Sequence, residues 1–319
     1  MRTHLEAACR WADVVILGDQ GSTDATRSIA AKFGEQVKVI HNPGTEYDEG
    51  ERQRIVFDAA RQMFPGEPKI LMAIDADEIL SANYMTSGEW DEIRRLPPGS
   101  GIYAEWVNLD PGFETWFPYG GPILIGVVDD GMIGHSAGKY HVPRLVQNPN
   151  SPRYHFKKTR LLHYQYVDAE RSASKNRSYQ VQEWIDNPTR PIRLFRRFNA
   201  TLATNASMHL PIAREWVEGF DVEEVRWRSV EIDEIYRWDR EVVKSILMHG
   251  AEFFRRLDIW EPDWIGIAID HGVAFERKAL LDPRTNHEKR VHRWLRASQH
   301  RMSSWDVRLR QAILRLAGW

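Results

Sequence analysis

The sequence predicts an α/β protein: a mainly parallel sheet flanked by helices, followed by a helical C-terminal extension. Three observations carry that expectation. Apolar runs alternate with helical patterns over the first half, as in βαβ units. Residues 70–74 (ILMAI) are uniformly apolar, as in a strand buried on both faces of a parallel sheet. From residue 167 the apolar spacing turns helical. The expected division is a sheet domain over 1–165 and a helical extension over 166–319 packing on it.

Residues 4–11 read as a short helix, and 14–17 (VVIL) as a buried strand. Residues 23–33 follow as a helix, with Thr23 or Asp24 available near its start. A second strand is expected at 37–40 and a second helix at 51–63, ended by Pro65-Gly66. The apolar strand 70–74 comes next, and Pro97-Pro98-Gly99 punctuates the chain before a strand at 102–106. Residues 111–126, rich in Gly, Pro and aromatics, read as a structured loop, with 123–128 a candidate strand. Helices are expected over 168–185, 221–240, 242–257 and, as one or two pieces, 284–316. An α/β nucleotide-binding domain opens with a strand. Here the chain starts within the first helix, so the first strand is expected to be missing.

The 319 residues suffice for one large domain or two smaller ones, and 43 Lys and Arg against 45 Asp and Glu, with 42% hydrophobic residues, exclude a disordered or collagen-like chain. No apolar run approaches the 18 residues of a membrane span. Cys9 is the single cysteine, which excludes an intrachain disulfide framework and a cysteine-based zinc cluster. Without an apolar signal core in residues 1–10, a cytoplasmic location is the expectation. Charge is uneven: residues 1–150 carry 13 basic and 22 acidic side chains, and the remainder 30 and 23. An acidic front half suits cation binding and a basic rear half suits anionic partners, and uneven surface charge without function is the plainer account.

The richest stretch is 70–80, ILMAIDADEIL, where an apolar strand ends in Asp75, Asp77 and Glu78. Adjacent carboxylates repel unless a cation or hydrogen-bond donors compensate. Such an oxygen cluster suits Mg²⁺ or Mn²⁺ shared with substrate phosphates, and a solvated acidic turn is the alternative. The second stretch is 18–26, GDQGSTDAT, directly after VVIL. Gly21 permits a tight turn and Ser22, Thr23 and Asp24 can cap a helix, which leaves Asp19 at the strand end to meet a ribose or base. No GxGxxG fingerprint and no Walker lysine are present there.

In this order and about fifty residues apart, the two motifs resemble the family 2 glycosyltransferases of GT-A fold. That family runs strand, DDGSTDGT, helix, strand, an Arg-bearing helix, then an apolar strand ending in DxD. Residues 18–26 match the first motif with Gln20 in place of its second Asp, and Asp75-Ala76-Asp77 matches DxD. The helix 51–61 (ERQRIVFDAAR) offers Arg52 or Arg54 as its basic position. The resemblance covers residues 4–80 well and 100–180 loosely. It implies a GT-A-type nucleotide-diphospho-sugar transferase fold, in which Asp19 and Asp75 contact the nucleoside of a sugar nucleotide donor and Asp77 holds a divalent cation, Mn²⁺ or Mg²⁺, on the diphosphate. His163, at a strand end in 160–177 (RLLHYQYVDAERSASKNR), resembles the downstream histidine that completes the metal site in several such enzymes, and a histidine packed in the interior is the alternative. Arg171 and Lys175, spaced i, i+4, share a helix face that could meet the departing diphosphate or simply be solvated.

The stretch 128–145, VDDGMIGHSAGKYHVPRL, gathers Asp129, Asp130, His135, Lys139 and His141 in a Gly-rich segment suited to an acceptor site. Inverting sugar transfer needs a base for the acceptor hydroxyl. Asp130 or Asp129 is the candidate, Glu105 the rival, and a hairpin turn with solvated acids the plain reading. Trp106, Trp116, Phe117 and Tyr119 could stack on sugar, although core packing is their commoner fate. Residues 284–319 carry nine basic and two acidic side chains interleaved with Trp294, Trp305 and Trp319. This admits peripheral contact with an anionic membrane, at its inner face, while the favoured expectation is an apolar stripe packed on the protein with the charges wet. No recognised nucleic-acid module is present.

The expectation is therefore a metal-dependent, inverting glycosyltransferase acting on a carbohydrate or other hydroxyl acceptor. The alternatives are a sugar-phosphate nucleotidyltransferase using the same carboxylates, or a catalytically inactive binding protein of the same fold.

Overall fold

The structure is a computed structural model that describes residues 1–42, 48–118, 120–131, 142–188, 190–199, 208–218, 220, 236–301 and 303–316. The chain forms two compact units, Met1–Val167 with Leu210–Arg228, and Asp168–His209 with Ser229–Trp319.

The first unit opens with helix α1 (Arg2–Ala8), strand β1 (Val15–Asp19), the short helix α2 (Thr26–Ala30) and strand β2 (Val37–His41). β1 and β2 pair in parallel, Val15 opposite Val37 and Asp19 opposite His41, which is the βαβ unit that the sequence pattern predicts. Helix α3 (Glu49–Gln62) starts on Asp48, whose carboxylate accepts from the Glu51 amide as an N-cap.

The main sheet is a different structure from the one expected. Among the described residues it has seven strands: β3 (Ile70–Met72), β4 (Glu78–Leu80), β5 (Gly101–Leu109), β6 (Thr115–Pro118), β7 (Ile123–Val128), β8 (Arg153–His163) and β9 (Leu210–Pro211). Only β5 and β8 pair in parallel; β3/β7, β4/β8, β5/β6, β5/β7 and β6/β9 are antiparallel. This overturns the mainly parallel GT-A-type sheet read from the sequence, and among the described residues the other parallel strand pair is β1/β2. The physical reason lies in the connections. β5, β6 and β7 follow one another through links of a few residues around Pro111-Gly112 and Gly120-Gly121, and a parallel crossover needs a dozen or more. The segment read as a loop thus holds β6 and the start of β7. Among the described residues β1 pairs with β2 alone. Helix α4 (Glu89–Ile93) completes the unit.

Two apolar clusters sandwich this sheet. Ile79, Val107, Leu109, Leu162, Trp116 and Trp216 form one, and Leu80, Ile102, Ala104, Leu161 and Ile125 the other. Alternation along β5 and β8 sends neighbouring residues to opposite clusters.

The second unit is helical among its described residues: α5 (Ala169–Asp186), α6 (Pro191–Phe198), α7 (Arg237–His249), α8 (Trp264–Asp270), α9 (Asn286–Ser298) and α10 (Ser304–Leu316). Val181, Leu194, Val242, Ile246, Leu257 and Trp264 make its main core. α9 begins with a capping box in which Thr285 and Glu288 exchange backbone bonds.

Candidate functional site

The site is built by strand register. β4 ends the acidic run, and its Glu78 lies opposite His163 of β8, which lies opposite Asn108 of β5, which lies opposite Phe117 of β6. Four strands thereby set Glu78, His163, Asn108 and Phe117 in one cross-strand row. Residues 73–77 connect β3 to β4 beside that row, because the Tyr164 amide donates to the Asp77 carbonyl at 2.8 Å. The turn that carries Asp75 and Asp77 thus lies next to the end of β8 that carries His163, more than eighty positions further on.

Arg144 holds the turn. It donates to both Glu78 carboxylate oxygens at 2.6 Å and to Asp75 Oδ2 at 2.8 Å, and its guanidinium lies 5.8 Å from the Trp106 ring centroid. Glu78 is fully buried, and its other oxygen contact is the Asp75 amide at 3.0 Å. Burial pushes the Glu78 carboxyl up to about 7 despite the opposing pull of Arg144, and the charges of Asp75 and Asp77 add to the rise. Asp75 itself is exposed.

His163 is buried and stacks on Trp106 with ring centroids 4.3 Å apart. Its Nδ1 lies 2.8 Å from Asn108 Oδ1, while Asn108 Nδ2 donates to the Phe117 carbonyl at 3.3 Å. That second bond orients the amide, so Asn108 presents its oxygen to His163 Nδ1 and steadies the ring.

Other predicted residues stand elsewhere. Asp19 is buried at the end of β1, where it accepts from the Ser22 amide at 3.0 Å and from Arg27 Nε at 2.6 Å. Hydrogen bonding from Ser22, then Arg27, outweighs burial and holds its carboxyl far below the usual range. In this arrangement Asp19 stabilises its own turn. Arg54 lies on the surface of α3, paired with Glu51 and Asp58 of the same helix, and Arg52 stands two positions earlier on a different face.

The candidate bases are not brought to the acidic turn. The Asp129 amide donates to the carbonyl of Lys69, the residue before β3, so Asp129 and Asp130 lie at the opposite end of that strand from Asp75, about 20 Å away for six extended residues. Asp129 accepts from Arg61 at 2.9 and 3.1 Å, joining α3 to the end of β7. Asp130 Oδ2 lies beside Gly99. Glu105 pairs with Arg160 at 3.0 Å, and Arg160 lies over Trp216, on the face of the sheet away from Trp106 and His163. His135, Lys139 and His141, like Tyr119, lie outside the described residues. Arg171 and Lys175 belong to α5 of the second unit, over the rings of Trp238 and Tyr179 respectively.

Arg144 and Asn108 are the site residues that sequence reasoning missed, and Glu78, read there as one of three acids in a cluster, is instead the buried partner of Arg144. Arg144 lies inside a stretch already singled out, but nothing local marks it as the partner of a carboxylate 66 positions away. Among the described residues no group of three or more His, Cys, Asp or Glu side chains is gathered to hold a metal. The donor set nevertheless fits Mg²⁺ or Mn²⁺ in the mode in which one or two carboxylates bind the ion and substrate phosphates supply further oxygens, with Asp75 and Asp77 as those carboxylates. Chemically the site is a polar ledge of hard oxygen donors with one guanidinium, backed by a stacked indole and imidazole. No protein-family model matches the chain, and no curated protein matches it either.

Proposed function

We propose that the chain is a metal-dependent transferase that moves a sugar from a nucleoside-diphosphate sugar to an acceptor hydroxyl. The observation that carries this reading is the strand-end turn Asp75-Ala76-Asp77-Glu78, with Arg144 across its carboxylates and the Trp106–His163 stack beside it. The order of motifs shared with family 2 glycosyltransferases supports the same reading.

Asp75 and Asp77 would hold the cation. When bound, it supplies charge neutralisation for a departing diphosphate. Arg144 is placed to offer its fork of donors to phosphate oxygens when Asp75 turns to the cation, the bidentate geometry at which arginine excels. Glu78, buried behind Arg144, keeps the guanidinium at the turn. Asn108 and Trp106 fix the ring of His163. Asp129, Asp130 and Glu105 stand away from this turn, so the reading assigns the acceptor's proton to none of them.

Thermal shift with nucleoside diphosphates, with and without Mn²⁺, tests the reading, because a ligand of the native state raises the melting temperature. The expected result is stabilisation that requires Mn²⁺ and disappears in Asp77→Ala while the variant stays folded. Equal stabilisation in EDTA overturns the cation's role. Sugar-nucleotide hydrolysis separates a transferase from a binding protein, and pyrophosphate release from a nucleoside triphosphate would indicate nucleotidyl transfer instead.

A further inference from the structure

The C-terminal helix α10 presents its sides the wrong way round for a helix of a water-soluble surface. Trp305 is 76% exposed, Leu309 50% and Leu316 89%, and Ile313 is exposed as well. At 100° per residue these four side chains fall within an arc of about 80°, so they form one continuous apolar stripe. The opposite side carries Leu314, packed with Phe195, Val291 and Leu295 of α6 and α9, and Arg310, only 3% exposed. Arg310 donates to the carbonyls of Ser298 and Arg301 at 2.6 Å and to Gln299 Oε1 at 3.2 Å, closing the end of α9. The helix cannot roll to bury its stripe without breaking those three bonds and exposing Leu314. The outward stripe is thus fixed by the packing, and the apolar residues of this segment that pack on the protein are Val291, Leu295 and Leu314.

We propose that this face of α10 docks on an anionic lipid bilayer, lying flat in the headgroup layer. The charges favour that occupant. Arg308 and Arg315 are exposed along one flank of the stripe, and exposed Arg301 precedes the helix. The helix's one acidic residue, Asp306, accepts from Ser303 at its first turn. Apolar insertion with arginines at phosphate level is how interfacial helices bind, and a tryptophan suits the boundary. A second copy of the chain fits less well when the stripes pair antiparallel, since Arg308 and Arg315 of both copies would then fall on one side. No described helix is long and apolar enough to cross a membrane, which agrees with a helix that lies on one. The proposal is independent of the transferase reading.

Flotation of the full chain with vesicles tests it, using phosphatidylcholine alone and phosphatidylcholine mixed with phosphatidylglycerol. The expected result is binding to the anionic vesicles, weakened by salt. Trp305→Ser with Leu309→Ser should lower the partition coefficient at least about tenfold with the circular dichroism and melting temperature unchanged. Arg308→Gln with Arg315→Gln should lower it at low salt only. Undiminished binding by the apolar double variant, or no binding of the wild type to anionic vesicles, overturns the proposal. So does a wild-type dimer that the apolar variant converts to monomer, because a second copy would then cover the stripe.

Discussion

Arg144 is one guanidinium serving three carboxylate oxygens, two of which belong to a side chain without solvent. Removing one partner of a buried pair leaves the other charge uncompensated, typically at about 3–5 kcal/mol. Arg144→Met should therefore lower the unfolding free energy by about that amount at pH 8 in urea titrations, and adding Glu78→Gln should restore most of it. The pH dependence has a definite sign. Glu78 titrates at about 7 in the fold against 4.5 for an ordinary glutamate, so the folded state holds its proton more tightly than the unfolded chain. The associated stability is complete below about 4.5 and is lost as pH rises through about 7, and Arg144→Met should steepen that loss. Stability of the variant that is flat between pH 4 and 8 would contradict this account. Asp75 and Asp77 were legible in the sequence because a run of acids at a strand end is a local signal. Arg144 was not, because its role depends on the burial of Glu78, and burial is decided by strands that pair far along the chain. Asp19 was legible as a strand-end acid, yet its engagement by Ser22 and Arg27 arises from the path of its own turn.

Among elements, α3 approaches β1 closely at Gly18. A Cβ at Gly18 would lie 2.7 Å from Val56 Cγ2, closer than real side-chain atoms approach. Gly18→Ala should destabilise the first unit by about 1–3 kcal/mol, the usual cost of overpacking, with Val56→Ala recovering part of it in the double variant. Independent effects of the two substitutions would show that the helix has room to move. The elements β1, α2, β2 and α3 were readable from the sequence because each carries its own period and turn residues. Strand direction in the main sheet was not readable, since it follows from which strands pair. The run ILMAIDADEIL reads as one apolar strand with an acidic end; in the structure it is two, β3 and β4, that pair with β7 and β8 respectively. The row Glu78–His163–Asn108 exists only in that register.

At the scale of the molecule, the chain leaves the first unit after Val167, returns at Leu210 and leaves again after Arg228. The returning segment supplies β9, which pairs with β6, and Trp216 and Phe220, which are buried with Val107, Leu109 and Trp116. A polypeptide ending at residue 167 should therefore expose that apolar face and aggregate or bind a hydrophobic dye. One ending at 228 should show a sharper thermal transition by circular dichroism and less dye binding; equal behaviour of the two would mean that the returning segment is dispensable. The same threading has a consequence for synthesis on the ribosome. At about 5–20 residues per second, the 61 residues from 168 to 228 take on the order of 3–12 s to be made. Until Leu210 and Pro211 are made the nascent sheet must wait with the edge of β6 uncovered, while the opening helices of the second unit emerge ahead of the partners they need. Neither half can finish first in isolation, so the timing of elongation across this stretch, and any chaperone that shields it, becomes part of how the molecule reaches its fold.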